Sequence, residues 1–155
     1  MTSIKAVALD VDGVLTDGAI WWSPEGAEWK RICFRDIMGV SRARKAGFVI
    51  ALISGEDSPL IDRFAQKMGI ADVYKGCRDK AAALCRFAQG HGYDLREIAF
   101  MGDDVNDVAA MKLCGLSAAP ENAHPSARAA ATLVTRCAGG NGAVRELLDQ
   151  LLADS

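Results

Sequence analysis

The chain has 155 residues, half of them apolar and a quarter charged, with a formal net charge of −2 and an isoelectric point near 5.7. This length fits one domain, 1–155, that can bury a core without disulfide or metal staples, and the acidic balance argues against proteins that bind nucleic acid or anionic membranes. No apolar stretch has the length of a membrane span and the N-terminus lacks a secretory pattern, so we expect a cytoplasmic protein.

The first predicted element is a short buried strand, Ala6–Leu9, that runs directly into the carboxylates of Asp10 and Asp12. Such a strand delivers charge to the C-terminal edge of a parallel sheet, where open α/β sheets place their ligands. Two carboxylates with one residue between them suit a nucleophile, an acid–base group and a hard metal ion. A calcium loop does not fit, since Val14 and Trp21 would occupy two of its ligand positions. A solvated turn is the ordinary alternative.

An insertion over 18–34 separates this strand from the first predicted helix. Two β-prone runs flank a Pro/Gly turn at 23–26, which predicts a hairpin projecting from the C-terminal edge of the sheet. Trp21, Trp22 and Trp29 lie on this hairpin. They could pack against the domain's own helices, but we favour a subunit interface because aromatic side chains concentrate at such contacts.

Strands and helices alternate along the rest of the chain. Further strands are predicted at 48–53, 73–74, 98–101, 116–119 and 133–134. Helices are predicted near 38–46, 58–68, 79–90, 105–113, 124–130 and 142–153. This alternation predicts an α/β fold, a Rossmann-like parallel sheet with helices on both faces, and leaves no insertion long enough for a cap domain.

Polar groups come directly after several of these strands. Ser54 and Gly55 offer a hydroxyl and backbone N–H groups that can hold phosphate oxygens. Lys80 opens a helix and could neutralise an anion. The segment 102–107 carries four carboxylate or amide side chains in five residues, and such a cluster needs a cation to offset its repulsion. Taken singly, a turn, a solvated lysine and a surface loop are the ordinary alternatives.

In this order, Asp-x-Asp, Ser-Gly, Lys and Gly-Asp-Asp-x-x-Asp resemble the four motifs of the haloacid dehalogenase (HAD) superfamily of phosphohydrolases. The resemblance implies an HAD-like fold and a Mg²⁺-dependent phosphatase that forms an aspartyl-phosphate on Asp10. It also implies that Asp12 protonates the leaving group and later activates water. Magnesium would be held by the carboxylates of Asp10 and Asp103 and by the backbone carbonyl of Asp12.

The same resemblance assigns the remaining groups of the site. Ser54, with Gly55, would hydrogen-bond the transferred phosphoryl group, and Lys80 would neutralise its charge. Asp104 and Asp107 would orient a water ligand and the lysine.

Three features look like one capless subfamily: Thr16–Gly18 leading into the hairpin, the missing cap domain, and the ending 139–146. This subfamily comprises the 3-deoxy-D-manno-octulosonate 8-phosphate (KDO 8-phosphate) phosphatases and relatives that act on nine-carbon keto-sugar-acid phosphates. It implies a homotetramer in which neighbouring subunits complete each site. Arg145, or the backbone around Gly140, would then reach the anionic end of a neighbour's substrate. Alternatively, 143–152 is a C-terminal helix packed on its own subunit.

Two departures leave the substrate open. The subfamily's Asp-Gly-x-Gly after the hairpin reads Asp36-Ile37-Met38-Gly39 here, and its Arg after the Ser-Gly pair is replaced by Glu56. Glu56, which we expect to contact substrate, and Lys67 look like the nine-carbon branch. The segment 122–125 and the tail look like the eight-carbon branch. Both KDO 8-phosphate and a nonulosonate 9-phosphate therefore remain candidates.

Two non-enzymatic alternatives fit the pattern less well. A regulatory receiver-type phospho-acceptor domain also combines an α/β sheet with acids and a lysine, but its phospho-acceptor lies on a middle strand. An inactive interaction module, such as the HAD-like domain that accompanies acylneuraminate cytidylyltransferases, would not need all of Asp10, Asp12, Lys80 and Asp103.

The remaining polar residues suggest no second chemistry. His91 and His124 are expected at the surface and at a helix start. The five cysteines are scattered without a C-x-x-C pair, so we expect reduced thiols and no zinc site.

Overall fold

The computed structural model describes residues 2–155. Its strands, numbered in chain order, are β1 (Ala6–Leu9), β2 (Trp21–Trp22), β3 (Glu28–Trp29), β4 (Val49–Ile53), β5 (Asp72–Tyr74), β6 (Ile98–Met101), β7 (Leu116–Ala119) and β8 (Leu133–Val134). Six of them form one parallel sheet in the order β5-β4-β1-β6-β7-β8, and β2 and β3 pair separately. The predicted α/β class and its parallel sheet are confirmed.

Helices cover both faces of this sheet. They are α1 (Phe34–Lys45), α2 (Pro59–Met68), α3 (Lys80–His91), α4 (Val108–Leu113), α5 (Pro125–Ala130) and α6 (Ala143–Ala153). Buried residues of α1, α2 and α6 belong to one hydrophobic cluster, and those of α3, α4 and α5 to a second. The two clusters are the two halves of a doubly wound core. Within residues 2–155, no helix is long and apolar enough to cross a membrane.

Strand β1 lies at the centre of the sheet and explains why its sequence is a continuous apolar run. All four of its residues are fully buried. Val7 and Leu9 belong to the first cluster, and Ala6 and Ala8 to the second. A strand covered on both faces has no solvated side, so polar alternation is absent. Because β1 lies between β4 and β6, the chain reverses its winding direction here, and ligands of open α/β sheets bind at such a switch point.

One predicted helix differs from the observed structure. The segment expected to be helical over 105–113 begins as a short 3₁₀ turn, Val105–Asp107, before α4. Asp104 and Asp107 form a reciprocal capping pair across this turn, each accepting a backbone N–H near the other. The Asp107 side chain, which belongs to this pair, is fully buried.

The hairpin is present and stands away from the core. Strands β2 and β3 are antiparallel, with Trp21 opposite Trp29. Trp21 and Trp22 are each 70% exposed and Trp29 is 55% exposed. The interpretation in which these side chains pack against the domain's own helices is therefore wrong for the isolated chain, since more than half of each tryptophan is exposed.

The C-terminal segment docks on its own chain. In α6, Val144, Leu147 and Leu148 are fully buried in the first cluster. A Cβ atom at Gly139 would collide with the backbone of Gly13, and the N–H of Gly140 donates to the Val14 carbonyl at 3.0 Å. The helix thus adopts the alternative in which it packs on its own subunit. The glycines are required by close approach to the loop after β1.

Candidate active site

The carboxyl ends of the central strands enclose a polar cleft of about 240 Å³. Its walls comprise Asp10, Asp12, Gly18, Ser54, Gly55, Glu56, Lys80, Asp103, Asp104 and Asn106. Every residue singled out from the sequence motifs lines this cleft except Asp107, which is buried beside it, and Arg145. The topology explains this, since the carboxyl ends of parallel strands, and the loops that leave them, lie at one edge of the sheet.

Lys80 is the buried cation of the site. It is the first residue of α3, whose N-terminus is capped by the Asp79 side chain. Its Nζ lies 2.9 Å from Asp10 Oδ1 and 2.7 Å from Asp107 Oδ1. Burial lowers the pKa of the lysine, but the charges of Asp10 and Asp107 outweigh that effect and the net pKa is raised. Lys80 is therefore held as an ammonium ion, as an isolated buried lysine would not be.

Three carboxylates lie close together near Lys80, and its single positive charge cannot balance all of them. Oxygen atoms of Asp10, Asp103 and Asp107 lie within 4.8 Å of one another. Burial and the charge of Asp107 raise the pKa of Asp10 well above its usual value, against the opposing effect of Lys80. Burial, foremost, raises the pKa of Asp103 to about 6. Hard oxygen donors around an uncompensated negative charge fit a magnesium ion.

Asp107 is already saturated by protein donors. Its Oδ1 accepts from Lys80, and its Oδ2 accepts from the backbone N–H groups of Asp103 at 2.8 Å and Asp104 at 3.2 Å. A carboxylate engaged at both oxygens is better suited to orient Lys80 and the loop than to bind metal. The geometry is thus compatible with the predicted ligand pair Asp10 and Asp103.

The loop after β1 is shaped by Thr16 and Gly13. The Thr16 hydroxyl accepts from the N–H groups of Gly13 and Gly18, at 3.2 and 3.1 Å, and the side chain is fully buried. Gly13 has φ +83°, and a Cβ there would collide with the Asp103 carboxylate. The glycine of the Asp-x-Asp-Gly pattern therefore permits the loop to approach the third carboxylate.

Ser54 and Glu56 form the side of the cleft after β4. Ser54 is buried and its Oγ accepts from the Glu56 N–H at 3.1 Å, which leaves the hydroxyl hydrogen free to donate. Glu56 is exposed and lines the cleft, as does Gly55. Asp104, also exposed, accepts from the Val105 N–H. A phosphate in the cleft would thus meet a hydroxyl and flexible backbone on one side and Lys80 on another.

Arg145 lies outside the cleft of its own chain. Its side-chain Nε donates to Asp149 at 2.8 Å, and its backbone N–H donates to the buried carboxylate of Asp36 at 2.8 Å. Asp36 also accepts from Gly142 and so caps α6 from a neighbouring helix. Ile37, one of the departures from the subfamily pattern, packs against the first hydrophobic cluster and not into the cleft. That Arg145 reaches a neighbour's substrate stays a prediction.

Sequence reasoning missed Lys30. This residue comes directly after β3, and its Nζ lies 2.8 Å from Asp12 Oδ1. Nothing in the local sequence distinguishes it from a solvated lysine, because the ion pair depends on how the hairpin folds back.

Asn106 also lines the cleft without having been assigned a role. The two histidines are where they were expected: His91 is exposed, and His124 caps α5 through its Nδ1.

Comparisons with known proteins identify the family of this chain. The haloacid dehalogenase-like hydrolase family matches residues 56–147. The 3-deoxy-D-manno-octulosonate 8-phosphate phosphatase of Escherichia coli K12 is 37% identical over 150 residues, which are 97% of this chain and 80% of that enzyme.

Solved structures give the same result across the whole fold. The phosphatase of that name from Moraxella catarrhalis, in complex with magnesium, phosphate and KDO, is 36% identical with a TM-score of 0.94, covering 97% of this chain and 86% of that one. The cobalt-bound enzyme from Haemophilus influenzae is 34% identical with a TM-score of 0.94, covering 97% and 88%. The chain therefore belongs to the haloacid dehalogenase-like hydrolases, in the group that includes the 3-deoxy-D-manno-octulosonate 8-phosphate phosphatases.

Proposed function

We propose that this chain is a magnesium-dependent phosphomonoesterase that hydrolyses KDO 8-phosphate through an aspartyl-phosphate on Asp10. The observation that carries the proposal is the buried cluster of Asp10, Lys80, Asp103 and Asp107 at the switch point of the sheet. A receiver domain would place its phospho-acceptor on another strand, and an inactive module would not need a buried lysine between two carboxylates.

The chain's own residues divide the reaction between them. Asp10 attacks phosphorus, and Lys80, 2.9 Å from the attacking carboxylate, offsets the repulsion between two anions. Ser54 and the Gly55 backbone bind phosphoryl oxygens. Asp12 gives a proton to the departing sugar oxygen and later removes one from the hydrolytic water.

A magnesium ion would be held by Asp10, Asp103 and the Asp12 carbonyl. When bound, it would neutralise phosphate charge that Lys80 alone cannot. Asp104 and Asp107 would orient these groups, Asp107 through its bond to Lys80 at 2.7 Å.

The eight-carbon substrate is supported by the names of the curated relatives and by the KDO molecule in the Moraxella structure. A nine-carbon keto-sugar-acid phosphate is favoured by one observation on this chain. Glu56 lines the cleft where an arginine would attract the sugar carboxylate, and a glutamate instead accepts hydrogen bonds from hydroxyls.

Steady-state kinetics with both sugar phosphates test the proposal. We expect turnover of KDO 8-phosphate that requires added magnesium and falls by several powers of ten in Asp10→Asn, because an amide is a poor nucleophile and a poor ligand. Lys5→Met, which removes an ion pair with Glu97 far from the cleft, is the matched control. A higher kcat/KM for the nine-carbon ester would identify a nine-carbon sugar phosphate as the substrate. Near-native turnover by Asp10→Asn would contradict the covalent mechanism.

We further propose a homotetramer assembled through the hairpin. Within residues 2–155, six of the nine large apolar side chains that remain exposed lie in 20–38. Exposed apolar side chains concentrated in one segment of a small domain are typical of a subunit contact.

A further inference from the structure

Lys30 is buried although it belongs to an exposed hairpin. Its side chain is 3% exposed, whereas Trp29, its neighbour, is 55% exposed. Within the described part of the chain, its salt bridge is to Asp12, with Nζ and Oδ1 2.8 Å apart. Removing an ammonium group from water costs several kcal/mol unless a partner is well placed. The Asp12 carboxylate is therefore the partner that makes burial of the Lys30 ammonium possible.

The base of the hairpin is tied to the cleft by further contacts. Arg31 donates to Asn141 Oδ1 at 3.0 Å and lies 3.7 Å from Asp17. Glu28 accepts from Ser58 at 3.5 Å. Lys30 thus extends from a segment that is held on both sides, by contacts of Glu28 and Arg31. In residues 2–155, the Asp12 carboxylate has no other side-chain hydrogen bond.

This arrangement leaves the two oxygens of Asp12 unequal. A lysine ammonium has three donors and no acceptor, so the Asp12 oxygen that it contacts acts as an acceptor toward it. With Oδ1 engaged by Lys30, Oδ2 is the oxygen left for a second partner.

We propose that Lys30 is a positioning residue for the reaction, which holds the Asp12 side chain in one orientation through Oδ1 and leaves Oδ2 for the substrate and the hydrolytic water. This inference rests on the proposed function. As Asp10 forms its bond to phosphorus, the ester P–O bond breaks and the Oδ2 proton passes to the sugar oxygen. In the second half, Oδ2 takes a proton from water as the water oxygen bonds to phosphorus and the Asp10–phosphorus bond breaks.

Two phosphate esters separate positioning from general structural support. The alkoxide that leaves KDO 8-phosphate needs a proton, whereas the phenolate that leaves p-nitrophenyl phosphate does not. In Lys30→Met, which keeps the apolar stem, we expect kcat/KM for KDO 8-phosphate to fall about 10- to 100-fold. We expect kcat/KM for p-nitrophenyl phosphate to change by less than about threefold. This constant covers only the steps up to departure of the leaving group, in which the phenolate needs no proton and the attack by Asp10 is untouched.

The control variants address the alternatives. In an Asp12→Asn background the lysine has no acid to position, so Lys30→Met should add no further loss; this double variant also avoids an unpaired buried charge. Lys5→Met should change neither rate. Equal losses on both esters, or a further loss in the Asp12→Asn background, would overturn the role of Lys30 alone. No turnover of either ester by the unsubstituted chain would overturn the proposed function, and the role of Lys30 with it.

Discussion

The carboxylates of the cleft are held by different kinds of partner. Asp10 lies against a buried lysine, Asp12 against a lysine from the hairpin, and Asp107 against backbone N–H groups. Asp103 has a raised pKa because it is partly buried beside other acids. Four acids in and beside one small cleft therefore have four different environments, and environment as well as residue type sets how a carboxylate behaves.

Magnesium affinity should depend on pH in a defined direction. Burial raises the pKa of Asp103 to about 6, and burial together with the charge of Asp107 also raises the pKa of Asp10. A metal binds the deprotonated carboxylate, so protons compete with it below this value. We expect the magnesium dissociation constant to rise about tenfold for each pH unit below about 6 for every proton displaced. Calorimetric titrations from neutral pH down to about pH 5 measure this, and an affinity that stays constant would contradict it.

Gly13 and Gly26 form a matched pair for testing the loop. Both have positive φ, +83° and +90°, so alanine is strained at either position. A Cβ at Gly13 would also strike Asp103, whereas at Gly26 nothing lies within 4 Å. Both substitutions should destabilise the fold by about 1–3 kcal/mol. Only Gly13→Ala should also lower kcat and weaken magnesium binding. Unfolding curves and rates together check this, and equal kcat in both variants would count against the close approach.

At the scale of elements, α1 and α6 are joined by one buried carboxylate. Helix α6 begins at a glycine that supplies no side-chain cap, and Asp36 from α1 accepts two of its N–H groups. Gly39 lets the two helices approach, since a Cβ there would lie 3.2 Å from the Arg145 Cα. In this chain Asp36 and Gly39 thus serve the packing of α1 against α6.

Removing that cap should cost stability and not chemistry. In Asp36→Ala the two N–H groups lose their acceptor in a buried position, and we expect a loss of about 1–3 kcal/mol for each group left unpaired. The midpoint of urea unfolding measures the change. Asp149→Ala, which breaks the exposed ion pairs with Arg42 and Arg145, is the control and should cost at most about 1 kcal/mol. A comparable loss in both variants would argue against the cap.

At the scale of the whole molecule, the fold leaves one large group of apolar side chains exposed. The sheet and its six helices bury two clusters, but the hairpin and the start of α1 stay outside them. A site open to solvent, without a cap domain, lies beside this exposed surface. Assembly would cover the exposed apolar side chains of the hairpin and, at the same time, reduce the access of water to the cleft.

Charged substitutions on the hairpin should dissociate the assembly. In Trp21→Glu/Trp22→Glu we expect the tetramer to give smaller species by light scattering, because carboxylates cannot be buried unpaired in an apolar contact. Activity on KDO 8-phosphate should fall at the same time. Leu113→Glu, at an exposed apolar residue on α4, should leave the assembly intact. A fully active monomer would contradict shared sites and leave the chemistry at Asp10 unaffected.

The sequence by itself determined the order of strands and helices and the residues that line the cleft. The reason is local: apolar runs specify buried strands, and in a parallel sheet the residues after each strand lie at one edge. Asp10, Ser54 and Asp103 could therefore be assigned to one site from the motifs alone. The sequence did not predict the 3₁₀ turn Val105–Asp107 before α4, because side-chain capping and not helix propensity determines where this turn ends.

Only the tertiary structure decided which distant groups meet. The pairing of Lys30 with Asp12 spans 18 residues, and that of Asp36 with Arg145 spans 109. Neither has a periodic signature, because each depends on how a hairpin or a terminal helix folds back over the sheet. The same holds for Gly139 and Arg145, whose surroundings belong to their own subunit because α6 must bury its apolar face against α1.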